Sequence, residues 1–479
     1  MLKIYNTLGR ELQEFKPQQA PMVTFYHCGP TVYWTQHLGN MRAMVLADLI
    51  RRSLVYLGYQ VKFARNYTDV GHLTSDQDEG EDKMIKGAKR EGLSPTELAD
   101  KYIKIFEQDV AELNTWPADY KPRATEYIQP IIQAVQVLLA KGYAYTTDLA
   151  IYYDVSKFKN YTQLSGQDLT KNIAEAGKGE VGDPQKKNST DFALWFFKAG
   201  THQNALQTWP SPFNSPLVKD GQGFPGWHIE CSVMSSKLLG QTLDIHMGGV
   251  DHIPVHHTNE IAQSEAISGQ KFVNYWLHNE HLSFGGEKMA KSTGAGYALQ
   301  EAKAKGFTPL AVRYLFLQAH YRSKQNFTWE ALTAASNGYE NLVSQVLVLR
   351  QKISWWQKLF TKISSAGLVY QQKFVAAISD DFNLPQALTV LWGLLGDKNL
   401  ATAEKYKLAL EFDKVLGLRL AEVKEIKVEI TEEVKNLVAQ RQQARQNKDW
   451  ALADSLRQQI EGLGYNLKDS AQGVGITKK

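Results

Sequence analysis

Four side chains of this chain have the types and the spacing expected of a metal site. His256 and Glu260 are four residues apart in VHHTNE, so in a helix they would share one face. Cys231 lies upstream in GWHIECSVM, and Cys28 is the only other cysteine of the sequence. Thiolate, imidazole and carboxylate groups are ligands of zinc, and structural zinc sites use four of them. We therefore predict a zinc site in which Cys28 supplies the ligand that the other three side chains lack.

The spacing does not decide which histidine binds the metal. His257 is three residues from Glu260 and would face it as readily as His256 does. Taken alone, Cys231 is better explained as a small buried apolar residue than as a ligand. Cys28 and Cys231 are far apart in the sequence, so a shared site would lie where two distant parts of the fold meet.

A strand, a helix and a second strand surround Cys28. Apolar runs predict strands over 22–26 and 61–64, and apolar periodicity predicts a helix over about 38–57. This is a βαβ unit of a parallel sheet. Ligands of such sheets bind beyond the carboxyl ends of the strands, which is where Cys28 and the loop after it would lie.

The loop after the first predicted strand has a second feature, the sequence HLGN at the start of the helix. A helix N-terminus attracts phosphate through its free N–H groups. Gly39 permits close approach of a ligand, and His37 can donate a hydrogen bond to a phosphate oxygen. Without further support, a helix-capping loop is the better interpretation of these four residues.

Two lysines near residue 290 form a similar candidate. Lys288 and Lys291 lie three residues apart in EKMAKST, beside hydroxyl residues and followed by glycine, and such a loop could hold a triphosphate. An ordinary solvated loop is the better interpretation if the motif stands alone.

Composition and length set the bounds for the whole chain. Its 479 residues suffice for two to four domains, and its apolar and charged fractions are those of a soluble globular protein. Two distant cysteines do not form a disulfide framework and suit a reducing, cytoplasmic compartment. The first residues do not show the charged and apolar regions of a signal peptide, and no apolar run is long enough for a membrane span, so we expect neither a signal peptide nor a membrane partner. A net charge of +4 does not by itself indicate a nucleic-acid partner.

The order of the predicted elements indicates an α/β fold. It consists of a Rossmann-like parallel-sheet domain with an inserted domain, followed by an all-α C-terminal region. The sheet domain is predicted to be split into 1–116 and 225–294 by an insertion over 117–224, and the chain turns helical after 295. Near the end, Arg441, Arg445 and Lys448 form a basic stripe at helical spacing, for which a solvated helix face is the ordinary explanation.

Read together, these motifs resemble the class I aminoacyl-tRNA synthetases. CGPTVY with HLGN resembles their first signature, HIGH, and EKMAKS resembles the second, KMSKS. GWHIECSVM, DIHMGGVD and HHTNEIAQSE resemble the cysteinyl-tRNA synthetases in particular. The resemblance extends over almost the whole chain, from MLKIYNTLGRELQEF to QARQNKDWALADSLRQQIEGLGYNLKD. Two departures concern Asn40, which replaces the second histidine of HIGH, and Ala290, which replaces the first serine of KMSKS.

The resemblance implies a reaction and a set of roles. L-cysteine would react with ATP to give cysteinyl-adenylate, and the cysteine would pass to the terminal adenosine of tRNA(Cys). The zinc ligands would be Cys28, Cys231, His256 and Glu260, which selects His256 over His257. ATP, accompanied by Mg²⁺, would be bound by His37, Gly39, Asn40, Gly248, Gly249, Asp251, Lys288 and Lys291, with His37, Asn40, Lys288 and Lys291 catalytic. The cysteine pocket would be formed by Cys28, Gly29, Thr31, Thr68, Trp227 and His246.

The resemblance also implies how tRNA is bound. A stem-contact region would cover 295–328, a helical bundle 329–425 and a small anticodon-recognising domain 426–479, in which Arg441, Arg445 and Lys448 would contact tRNA. Because zinc binds a thiolate better than a hydroxyl, we expect no separate editing domain. The family suggests a monomer. Two alternatives are a cysteine ligase acting on an amino-sugar, which needs no helical C-terminal third, and an inactive synthetase-like protein, which would not need the two lysines.

Overall fold

The computed structural model describes residues 1–71, 83–167, 183–285, 287–288, 297–423, 431–470 and 473–478. The chain divides into two compact units, Met1–Ala421 and Glu422–Lys479. In the described part of the chain, no helix has the length and apolarity needed to cross a lipid bilayer.

A four-stranded parallel sheet lies at the centre of the first unit. Its strands follow the order Val273–Asn279, Leu243–Gly249, Met22–His27 and Gln60–Arg65. The chain leaves the two central strands in opposite directions, so the switch point of the sheet lies between them. Ligands of open α/β sheets bind in the crevice at such a point. The α/β prediction is confirmed.

The sheet domain forms where the sequence patterns predict it. Val23 and Phe25 are fully buried in the first parallel strand, and the helix Leu38–Tyr56 buries apolar residues on the sheet. Ser94 accepts a hydrogen bond from the N–H of Glu97, whose side chain bonds back to Ser94. This capping box, with Pro95 at the first helical position, begins the helix Pro95–Glu112.

A second, antiparallel sheet lies in the segment predicted as an insertion. The strands Ala144–Thr146 and Ala150–Tyr153 form a hairpin. The strand Phe192–Phe197, all of whose side chains are buried, pairs with the second of them, and Gly223–Pro225 completes the sheet. The helix Ile128–Ala140 precedes these strands.

Helices dominate the chain after residue 298, as predicted. The first unit contains Leu299–Ala304, Pro309–Leu317, Trp329–Gln351, Trp355–Phe360, Ser365–Ser379, Leu384–Gly396 and Thr402–Leu416. The second unit contains Glu432–Gln446 and Trp450–Gly462, and ends in an unpredicted antiparallel hairpin of Tyr465–Ser470 and Gly473–Lys478. The remaining elements are the strands Lys3–Asn6, Glu11–Glu14, Leu282–Phe284, Glu287–Lys288 and Gln325–Phe327 and the helices Lys83–Glu91, Pro95–Glu112, Trp227–Leu239 and His256–Ser268.

A buried arginine joins the helical region to the sheet domain within the first unit. Arg313 is 0% exposed, and its Nη2 lies 2.7 Å from Asp48 Oδ2. The same guanidinium donates to the carbonyl oxygens of Leu416 at 2.7 Å and Leu113 at 3.0 Å. Asp48 is also paired with Arg52 at 2.7 Å. Three separate helices are therefore tied to one guanidinium.

We expect Arg313→Met to lower the free energy of unfolding of this unit by about 3 kcal/mol, because removing one partner from a buried ionic network leaves the other groups without their hydrogen bonds. Arg52 still pairs with Asp48 in this variant, so the loss of stability should be at the lower end of the range for broken buried ion pairs. Denaturant unfolding followed by circular dichroism measures the change. Lys352→Met, at an exposed lysine, is the control and should change it by less than about 0.5 kcal/mol. Equal midpoints for both variants would contradict the role of Arg313.

Candidate active site

The structure brings the four predicted metal ligands together. Donor atoms of Cys28, Cys231, His256 and Glu260 all lie within 4.8 Å of one another, and all four residues are buried. Cys28 follows the first parallel strand, Cys231 lies in Trp227–Leu239, and the other two lie in His256–Ser268. His256 Nε2 is 3.0 Å from Glu260 Oε1, and Cys28 Sγ is 3.9 Å from the same oxygen.

The rival histidine is also close. Cys28, His246, His257 and Glu260 form a second group within the same distance limit, with His257 Nε2 only 3.4 Å from Cys28 Sγ. This group leaves Cys231 unused. The first group offers two thiols, an imidazole and a carboxylate, a donor set that suits zinc. The chemistry of the donors therefore favours the set that contains His256.

Burial and neighbouring charges set the protonation of this cluster. Burial raises the pKa of Glu260, but His246 and His256 outweigh it and lower that pKa to about 2. Burial lowers the pKa of His256, but Glu260 and Cys231 outweigh it and raise that pKa to about 10. The hydrogen bond with Cys28 lowers the pKa of the Cys231 thiol to about 7, whereas burial raises that of Cys28 well above its usual value. These shifts favour the imidazolium form of His256 beside the Glu260 carboxylate, 3.0 Å away.

Two further histidines, His228 and His278, lie close to the cluster and were not predicted to be part of the site. His228 Nδ1 lies 2.9 Å from His256 Nδ1, and His257 Nδ1 lies 2.7 Å from His278 Nε2. Hydrogen bonds to the second ring nitrogen orient a metal-binding imidazole, and His228 is placed to do this for His256. A sequence signal existed, because seven of the 12 histidines lie between residues 228 and 281.

A cleft of about 450 Å³ opens from the cluster along the carboxyl edge of the sheet. His246 is not part of its lining. It is fully buried, lies 2.9 Å from Glu260 Oε2 and stacks on Trp276. The side chain of Lys288 and the whole of Lys291 lie outside the described residues. The predicted site residues that line the cleft are Cys28, Gly29, Thr31, His37, Gly39, Asn40, Thr68, Trp227, Cys231, Gly248, Gly249, Asp251 and His256.

The end of the cleft beside the sulfurs is small and polar. The N–H of Gly29 donates to Asn66 Oδ1, and a Cβ on residue 29 would lie 1.7 Å from the Asn66 carbonyl oxygen, so only glycine fits. Thr68 Oγ1 is 3.2 Å from Asn66 Nδ2. The ring of Trp227 lies over that of His256 with centroids 4.5 Å apart. These contacts fix the positions of Gly29, Thr68 and Trp227 at the end of the cleft beside the sulfurs.

At the other side of the cleft, His37 caps the helix Leu38–Tyr56. Its Nδ1 accepts a hydrogen bond of 3.3 Å from the N–H of Asn40. The proton of the neutral ring is therefore on Nε2, where it can be donated to a ligand. A Cβ on Gly39 would lie 2.9 Å from the imidazole, which explains glycine there. A helix N-terminus with this donor suits an anion.

Gly248 and Gly249 end the neighbouring strand, and Gly248 is the more constrained of the two because it faces two imidazole rings. A Cβ on Gly248 would lie 2.6 Å from the rings of His252 and His257, and one on Gly249 would lie 2.3 Å from Asp251 Oδ1. At the end of the next strand, three residues that sequence reasoning missed also line the cleft. They are Asn279, Glu280 and His281.

The basic stripe of the second unit is not a single exposed face. Arg441 is only 2% exposed, whereas Arg445 and Lys448 are exposed. Arg441 continues the buried face of Glu432–Gln446 that contains Val434 and Val438. The prediction that all three cations present one surface is wrong for Arg441.

Comparison with protein families gives three matches along the chain. The model of the tRNA synthetases class I (C) catalytic domain matches residues 14–337. The DALR domain matches residues 373–423, and the cysteinyl-tRNA ligase anticodon binding domain matches residues 427–474.

Full-length relatives agree with these matches. The chain is 39% identical over 492 residues to the cysteine–tRNA ligase of Treponema denticola, covering 98% of each chain. It is 42% identical over 476 residues to cysteine–tRNA ligase 1 of Burkholderia lata, covering 98% of this chain and 96% of the relative. A solved methionyl-tRNA synthetase of Mycobacterium tuberculosis, in complex with methionyl-adenylate, shares the fold with a TM-score of 0.56 at 15% identity, over 84% of this chain and 90% of its own. The chain belongs to the cysteine–tRNA ligase family of class I tRNA synthetases.

Proposed function

We propose that the protein joins L-cysteine to tRNA(Cys), forming cysteinyl-adenylate from ATP as the intermediate. The observation that carries this proposal is the common cleft. One of its walls contains two thiols beside His256 and Glu260, and another contains a helix N-terminus capped by His37. A thiol-recognising end and an anion-binding end suit one substrate that contains a thiol and one that contains phosphates.

Cys28, Cys231, His256 and Glu260 would hold a zinc ion, as their donor atoms and mutual distances fit one. When bound, zinc would supply a Lewis-acidic position that accepts a thiolate far better than a hydroxyl. Glu260 is held by His246, and His256 by His228, so the protein fixes the orientation of two ligands from behind. Cysteine and serine differ by one atom, which apolar packing alone resolves poorly, and a separate editing domain is not needed.

The remaining cleft residues would orient the reacting groups. Trp227 and Thr68 enclose the cysteine, whose carboxylate attacks the α-phosphate of ATP. His37 Nε2–H and Asn40 donate to phosphate oxygens as the charge on them changes, and such preorganised donors are effective in acyl and phosphoryl chemistry. Asp251 would accept a hydrogen bond from a ribose hydroxyl beside Gly248 and Gly249. Lys288 and Lys291 would bind the β- and γ-phosphates together with Mg²⁺.

The parts of the chain outside the cleft would bind tRNA. We assign stem contact to residues 295–328, a supporting bundle to 329–425 and anticodon recognition to 426–479. Arg445 and Lys448 remain candidate tRNA contacts because their side chains are exposed, and Arg441 does not. We also propose that the protein is a monomer and acts in the cytoplasm.

Exchange of pyrophosphate into ATP tests the proposal. Exchange should depend on cysteine and be weak with serine, and the activated cysteine should then pass to tRNA. Transfer to an amino-sugar instead of tRNA would replace the proposal with a small-molecule ligase. Absence of exchange from folded, metal-loaded protein would refute adenylation.

Zinc binding should release protons in a pattern set by the ligand pKa values. At pH 8, Cys28 and His256 are protonated in the metal-free protein and Cys231 is mostly ionised, so we expect release of about two protons per zinc. At pH 6 the Cys231 thiol is also protonated, so release should rise to about three and the affinity should fall. Calorimetry in buffers of different ionisation enthalpy counts the protons. Proton release that does not change between the two pH values would contradict the assigned ligand states.

A further inference from the structure

A short helix in the first unit presents its apolar side to solvent. Trp355–Phe360 has the sequence WWQKLF, and its four apolar residues fall within an arc of about 140° when 100° is allowed per residue. The two polar residues lie on the opposite side. The four apolar residues, which we call the aromatic patch, are Trp355, Trp356, Leu359 and Phe360.

The exposure of the aromatic patch is unusual for this chain. Trp356 is 64% exposed, Phe360 63% and Trp355 62%, and among the large apolar side chains of the described residues only Met1 is more exposed. The rings contact one another, with Trp356 and Phe360 stacked at a centroid distance of 5.6 Å. Contiguous exposed apolar groups of this kind mark interaction sites.

The charged residues that flank the patch in the sequence are all positive. Residues 341–379 contain five Lys or Arg residues and no Asp or Glu, and Lys352, Lys358 and Lys362 are exposed. In the packed helix Thr402–Leu416, Lys407 donates to the Thr361 carbonyl oxygen at 2.8 Å. Glu404 of that helix is buried and accepts hydrogen bonds from Ser364. An occupant of the patch therefore meets apolar side chains with exposed lysines beside them.

We propose that the aromatic patch docks on an anionic lipid surface. Tryptophan, phenylalanine and leucine on one side of a helix with lysines beside them suit the boundary between headgroups and acyl chains. An RNA partner is less well matched, because Leu359 offers neither a ring on which a base could stack nor a group that can bond to phosphate or ribose. A second copy of the chain, bound through the same patch, would bring the lysines of both copies together, and their repulsion would disfavour the contact.

This docking site is independent of the proposed ligase reaction, since none of the patch residues lines the cleft. It adds a membrane surface to the expected partners of the protein. The sequence analysis expected no membrane partner. The protein would bind there peripherally through side chains.

Co-sedimentation of the full chain with vesicles tests the proposal. Binding is expected to equimolar phosphatidylcholine and phosphatidylglycerol, not to phosphatidylcholine alone, and to weaken as salt rises. Trp355→Ser/Trp356→Ser/Phe360→Ser should reduce binding at least tenfold. Lys358→Ala/Lys362→Ala should reduce it by on the order of thirtyfold, since each lysine near such a surface adds about a factor of five.

The matched control is Leu206→Ser/Leu217→Ser, which removes two similarly exposed apolar side chains, at 56% and 61%, outside the patch. It should bind vesicles as the unaltered chain does, and all variants should retain pyrophosphate exchange. Equal binding to neutral vesicles, or no binding to anionic ones, would overturn the proposal. So would a triple serine variant whose only defect is weaker tRNA binding or loss of self-association in sedimentation velocity.

Discussion

Cys231→Ser is expected to lose its zinc and, with it, cysteine-dependent pyrophosphate exchange. Four ligands share the binding free energy of such a site, so loss of one thiolate should cost about 3 kcal/mol, or on the order of a hundredfold in zinc affinity. Cys231 lies in the helix Trp227–Leu239 and is 2% exposed, and serine fills nearly the same volume. The fold should therefore persist. Zinc content after dialysis, measured by atomic absorption, gives the result directly.

His257→Asn is the matched control, because His257 belongs to the rival group of donors that omits Cys231. Asparagine can still bond to His278, the present partner of His257 at 2.7 Å. We expect this variant to keep one zinc per chain, and His256→Asn to lose it. Zinc retained by Cys231→Ser and lost by His257→Asn would show that the rival group binds the metal.

His37→Ala is expected to lower kcat for adenylate formation by about 10² to 10³, the usual cost of removing one preorganised donor to a developing charge. The imidazole is held in place by the hydrogen bond from the Asn40 N–H to Nδ1, which directs Nε2–H away from the helix. Because this donor serves the reacting phosphate, the KM for cysteine should change little. Pyrophosphate exchange at varied cysteine and ATP separates the two parameters.

Loss of the helix cap would also affect His37→Ala, at a cost of about 1 kcal/mol in stability. His37→Asn separates the two effects, since asparagine is a good N-cap residue but its amide does not reach as far as an imidazole. We expect His37→Asn to restore the denaturation midpoint while kcat stays low. Recovery of kcat together with stability would mean that His37 acts only as a cap.

The parts of the fold that could be predicted are those with strong local signals. The strand, helix and strand around Cys28 have clear apolar patterns, and Ser94 with Pro95 begins a helix. The strand Phe192–Phe197 was not predicted, because it is buried on both faces and has no alternating pattern. The C-terminal hairpin contains short polar segments that weaken the same signal.

The site was predictable to the extent that its residues have rare types or fixed spacing. Two cysteines and an i, i+4 pair indicated the metal ligands, and the structure places those four donors together. His246 and His228 could not be assigned from spacing, because their positions behind Glu260 and His256 depend on how strand and helix pack. The prediction that Arg441 is exposed was wrong because its spacing fits two patterns. It continues the buried stripe of Val434 and Val438, and it is also four residues from the exposed Arg445.

The central claim is that a zinc ion held by Cys28, Cys231, His256 and Glu260 recognises the thiol of the substrate. X-ray absorption at the zinc edge, recorded on the loaded protein with and without cysteine, tests it most directly. We predict one additional sulfur neighbour of zinc when cysteine is present, and no change with serine. A zinc environment that cysteine leaves unchanged, in protein that still exchanges pyrophosphate, would contradict the claim.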